Sequence, residues 1–361
     1  MKSVSLAIPL IVLFPFTCKT QHQPDVEKAV SVQDQNAETI YYSEKELAHF
    51  LDSVASLDLD LWTIAISFKA DSTLNSHTHL HDAISNTDFE KLKAGCEKGL
   101  LNVEVAQHLF PQLGTDFSYR DFVNEANELP INLYSFGKAD KFDEYAVSIG
   151  YDKGLAWGNT VYFFKKNMAI AKHQIFHRYG LELKHFKNEK NETILYYKVN
   201  YGSGSGIWWH QFNFYKYDND TIIPVLTEIQ NINLKFPWSI RAYWIESTVL
   251  NTNPLTLKFV YVDELLDTVS YHPVTIAKDS TIVKYTWNQS TRKYQAVFTD
   301  QKLNKHKLLT YYFADNELLF INSNQDLLKS IINGQDQVKR VAALNYLNDV
   351  KNEHTRRQQN E

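Results

Sequence analysis

Apolar and polar positions change period several times along the chain. Leu47, Phe50, Leu51 and Val54 recur at helical spacing, and Ser43 with Glu46 just upstream forms an N-terminal capping box, with Tyr42 and Leu47 at the staple positions. A strand is expected next, since Trp62, Ile64, Ile66 and Phe68 alternate with smaller or polar residues. Residues 87–129 return to helical spacing. There Thr87 and Glu90 read as a second capping box, Asn102 as the cap of a short helix ending before Pro111, and Ser118 with Asp121 as the start of a third helix ending before Pro130.

From about 131 the period becomes two. Val161–Phe164 and Ala169–Phe176 flank Lys165-Lys166-Asn167, Leu181–Phe186 and Thr193–Asn200 flank a polar turn, and Trp208–Tyr215 and Thr221–Ile229 flank Tyr217–Asp220. Thr281–Trp287 pairs in the same manner with Lys293–Phe298, and Leu308–Phe313 with Leu318–Asn322. Such runs bounded by Asn, Asp and Lys predict an antiparallel meander folded as a sandwich, barrel or curved sheet. Ser323 and Gly334 then bracket one helix, and Val338, Val341, Ala342, Leu347 and Val350 mark another. The expected fold is α+β: an α-rich part over 40–130, an antiparallel β-region over 131–322, helices over 323–350 and a frayed polar tail over 351–361.

Composition narrows the function classes. The 361 residues are 44% hydrophobic and 22% charged, ordinary globular usage that excludes wholesale disorder. The net charge of −5 argues against a nucleic-acid binder built on phosphate contacts. Two cysteines make neither a disulfide-dense scaffold nor a four-cysteine zinc site.

The N-terminus points to export. Lys2 precedes an apolar run from Val4 to Phe16 that is short of the roughly 20 residues a membrane span needs, and Pro9 and Pro15 interrupt it. Residues 1–17 therefore read as a signal peptide, and no later segment is long and apolar enough to span. Phe14-Pro15-Phe16-Thr17-Cys18-Lys19-Thr20-Gln21 resembles the lipobox and first mature residues of bacterial envelope lipoproteins, in the loose form found in Bacteroidota. The resemblance implies lipidation at Cys18, and the polar stretch 18–39 then reads as a tether between lipid and domain. Lys19–Pro24 lacks the acidic residues expected of surface export, so the anchor is expected to face the periplasm.

Several clusters invite chemistry. His77, His79 and His81 stand at alternate positions beside Asp82. Imidazoles bind zinc well, but on a strand only neighbouring pairs can share an ion; the alternative is a polar loop. Their order differs from the His-x-His-x-Asp-His pattern of metallo-β-lactamases. Gly202-Ser203-Gly204-Ser205-Gly206 lacks both the following helix of a phosphate loop and the spacing of a nucleophile elbow, so it reads as a permissive connection or a bulge in a sheet. Adjacent Trp208 and Trp209 point to opposite faces if extended, which offers one of them to a ligand, with core packing as the alternative. Cys96 on its helix reads as a small buried hydrophobe. His173, His177, His185 and His210 select no triad.

The reading that follows is a lipid-anchored, non-enzymatic binding or assembly module of the cell envelope. It would meet the membrane through its anchor and hold an envelope protein or a glycan, with no cofactor required. The alternative is a periplasmic hydrolase whose groups converge only in three dimensions, with zinc on the histidine cluster.

Overall fold

The computed structural model describes residues 40–58, 78–110, 112–113, 119–137, 139–151, 158–177, 180–204, 207–234, 239–266, 272–299, 302–313 and 316–360. The segments read as signal peptide and tether, with Cys18, the strand expected over Trp62–Phe68 and His77 lie outside them. In chain order the elements are helix α1 (Glu44–Val54), strand β1 (Thr78–Ala83), helix α2 (Asn86–Lys98), strand β2 (Leu100–Asn102), helix α3 (Val103–Leu109) and a 3-10 turn (Tyr119–Phe122). Twelve strands follow: β3 (Glu128–Ser135), β4 (Glu144–Ile149), β5 (Asn159–Lys165), β6 (Met168–Ile175), β7 (Leu183–Lys187), β8 (Thr193–Gly204), β9 (Ile207–Asp218), β10 (Thr221–Leu234), β11 (Arg241–Thr252), β12 (Leu255–Leu266), β13 (Pro273–Asn288) and β14 (Lys293–Val297). Helices α4 (Lys305–Tyr312), α5 (Glu317–Ser323), α6 (Gln325–Ile332) and α7 (Gln337–Asn360) close the chain. The fold is α+β, with antiparallel pairing throughout two sheets and, among the described residues, no closed barrel.

The smaller sheet has six strands in the order β1-β6-β5-β4-β3-β2. Both of its faces are covered, so its central strands are nearly continuous apolar runs. Tyr145, Val147, Tyr162 and Phe164 pack beneath α2 and α3 with Leu92, Leu109 and Phe110. Ala146, Val161, Phe163 and Ile170 point the other way, against Leu195, Tyr197, Tyr215 and Tyr217 of the larger sheet. That sheet runs β14 to β7 in sequence order. Strand β12 shows why it has an inside: Leu255, Leu257, Phe259, Tyr261 and Leu265 are buried, alternating with more exposed partners. The inner face meets Leu308 and Tyr311 of α4, and at its far end Leu265 and Ile276 meet α1, α5, α6 and α7.

Several expected elements take another form. Residues 305–312 and 317–323 are helices, not the strands expected for Leu308–Phe313 and Leu318–Asn322. Asn304 and Asn316 cap them by accepting from the backbone N–H of Lys307 and Leu319, a local bond that favours a helix start. Ser85, not Thr87, caps α2, pairing reciprocally with Asp88. The third expected helix shrinks to one 3-10 turn, and Pro130 lies inside β3 opposite Leu100. The polar tail is helical through Asn360. Asn352 Nδ2 donates to the Ile40 carbonyl at 2.8 Å and the His354 ring lies 6.2 Å from Phe50, so the tail clamps α1. Stretch 40–130 contributes α1 to the C-terminal helical cluster and β1 and β2 to the six-stranded sheet.

Candidate functional site: a cleft at the rim of the large sheet

Two turns and one hairpin meet at one end of the eight-stranded sheet. The β7–β8 turn brings Asn188, Glu189 and Lys190, and the β11–β12 turn brings Thr252, Asn253, Pro254 and Leu255. The β13–β14 hairpin adds Trp287, Gln289 and Tyr294. Together they enclose a cleft of about 400 Å³. Small-molecule sites typically occupy about 300–1,000 Å³.

Local sequence explains the rigidity of its aromatic wall. Trp287 and Tyr294 are direct cross-strand partners, and their rings meet edge to face, 5.3 Å apart at 78°. Trp287 Nε1 donates to Gln289 Oε1 at 3.1 Å, and Lys190 Nζ donates to the same oxygen at 3.0 Å. One amide thus ties the hairpin to the turn across 99 residues of chain. Lys216 Nζ stands 5.3 Å from the Trp287 ring centroid and pairs with Glu192 at 2.7 Å. Burial and the nearby Glu189 and Glu192 push the Tyr294 hydroxyl up to about 12, so it stays a neutral donor. On the other side of the turn, Asn188 Oδ1 accepts from the backbone N–H of Lys190 and of Glu192 and fixes its shape.

The tryptophans singled out in the sequence lie elsewhere, both half-buried. Trp208 Nε1 donates to Asn231 Oδ1 at 2.6 Å. Trp209 packs against the inner core, 6.2 Å from Tyr312, and its buried Nε1 finds no hydrogen-bond partner among the described residues. His79 and His81 lie exposed on β1, whose pairing is irregular between His79 and Asp82. His81 Nδ1 lies 3.7 Å from Asp220 at the β9–β10 tip. Among the described residues no three His, Cys, Asp or Glu side chains gather to hold a metal. The Gly202–Gly204 stretch continues β8, with a register shift between Asn200 and Gly202 in the segment expected to be a permissive connection or a bulge. Cys96 packs under the small sheet, and burial pushes its thiol up to about 12.

Two buried polar groups were not legible beforehand. At the seam between the sheets, His173 Nδ1 shares a 2.7 Å hydrogen bond with the Tyr197 hydroxyl, and His177 Nε2 donates to Asn159 Oδ1 at 2.6 Å. Burial, and then the charge of Lys198, lower both His177 and His210 to about 4. Under α4 and α5, Arg241 Nε donates to Glu317 at 2.9 Å and Arg241 Nη1 lies 3.9 Å from Asp263, which accepts from the Tyr311 hydroxyl at 2.8 Å. Burial raises Asp263 to about 6 against the pull of Arg241. This group is sealed, with the Arg241 side chain 1% exposed, so it fixes helices to the sheet instead of meeting a ligand.

Comparison of the chain with family models, curated proteins and solved structures finds no match.

Proposed function

We propose that this chain is a non-enzymatic binding or assembly module of the bacterial cell envelope, lipid-anchored at Cys18 and facing the periplasm. The rim cleft carries the binding half of that reading: it is open to solvent, held by side-chain bonds, and walled by an aromatic pair with polar groups around it. Resemblance of the Phe14–Gln21 segment to lipoprotein processing sites supports the anchor. Stable attachment requires more than one acyl chain, which lipoproteins carry.

Two measurements test this reading. Cells fed a palmitate analogue should label the protein, and Cys18→Ala should abolish the label; equal labelling of the two overturns the anchor. Hydrogen exchange with and without a solubilised envelope fraction should show protection at 188–190, 252–255 and 284–294. Protection confined to other segments, or none at all, overturns the cleft as the binding site.

A further inference from the structure

We infer that the rim cleft takes the end of a saccharide chain, a reading that rests on the binding role proposed above and adds its ligand class. The walls supply what a sugar needs. Its C–H faces pack on aromatic rings, and its hydroxyls need donors and acceptors that are planar or neutral. Trp287 and Tyr294 give the rings. Asn253 and Gln289 give amides, and Thr252 and Thr286 give hydroxyls. The charges in the wall, Lys190 and Lys284 against Glu189, nearly cancel, which suits an uncharged ligand better than a nucleotide or an acidic peptide.

Two further observations favour a sugar over an extended peptide. Peptides that add to a sheet use the free hydrogen-bonding groups of an edge strand. Of the residues that line this cleft only Tyr294 lies on an edge strand, β14; the others come from turns and inner strands. Its aromatic wall is also held before any ligand arrives, because Gln289 fixes Trp287 from one side and Lys216 stands over its ring. Prior ordering reduces the entropy lost on binding, which matters for a ligand as weakly apolar as a sugar.

The test titrates the full chain with maltohexaose, cellohexaose, chitohexaose, xylohexaose and mannohexaose, and with a set of uncharged and charged hexapeptides, by calorimetry and tryptophan fluorescence. At least one oligosaccharide should bind saturably. Trp287→Ala and the exposed-site variant Gln289→Ala should each weaken that binding by about tenfold or more, and Trp208→Phe should leave it within about twofold. Saccharide binding that ignores both cleft variants overturns the inference. Peptide binding that depends on Trp287, with no saccharide bound, overturns the ligand class and leaves the binding role standing. If neither class binds and the envelope fraction protects nothing at the cleft, both readings fall.

Discussion

At the scale of single residues, the buried titratable groups set opposing acid responses. His177 and His210 titrate near 4 in the fold, below the usual histidine value near 6.5. A lowered histidine favours the unfolded chain as it gains a proton, so its share of stability is full above about 6.5 and is lost as pH falls toward 4. Each is worth at most about 3 kcal/mol over that window. Asp263 works the other way. It is raised to about 6, so the native state takes up its proton first and gains stability as pH falls from about 6 toward 4. His210→Asn should therefore flatten the loss of stability between pH 6.5 and 4, and Asp263→Asn should steepen it. Urea unfolding at several pH values checks both signs; parallel curves for wild type and either variant would refute the assignment. None of this was legible in the sequence, because scattered His and Asp acquire these values only when strands far apart in the chain bury them together.

At the scale of elements, the N-terminal helix and the C-terminal helices form one unit. Leu47, Phe50 and Leu51 of α1 pack with Tyr346, Leu347 and Val350 of α7, and the Tyr42 N–H donates to Asn348 at 2.9 Å. Leu347, fully buried, should cost about 2–5 kcal/mol on replacement by Ala, and amide exchange in α1 should speed up with it. Unchanged protection of α1 would mean that it folds independently of α7. The Ser43–Glu46 capping box that begins α1 was readable directly, since both of its partners lie within four residues. So were the β5–β6, β7–β8, β9–β10 and β13–β14 hairpins, where apolar alternation and turn residues agree. Helices α4 and α5 were not. Leu308–Phe313 and Leu318–Asn322 are short, largely apolar and buried, and such runs carry no period that separates strand from helix. The signals that decide them, Asn304 and Asn316, are single capping residues.

At the scale of the whole molecule, the described residues of the two sheets make a platform with helices on one face and an open cleft at one rim. The small sheet is covered on both faces, and the large sheet encloses an aromatic core beneath α4. The rim cleft gathers residues from 188 to 294, which is why Trp287 reads in sequence as one more strand residue while the adjacent Trp208 and Trp209 draw attention. On the function proposed above, such a molecule, tethered through Cys18, would hold a ligand and leave it unaltered. The most direct test of that claim is to incubate the oligosaccharide that binds best with a near-equal amount of the full chain for a day, dissociate the complex and analyse the sugar by mass spectrometry. The account predicts that the oligosaccharide is recovered at its original mass, with binding that Trp287→Ala weakens by about tenfold or more. Shortened or modified products that depend on the folded protein would contradict it and establish an enzyme in its place.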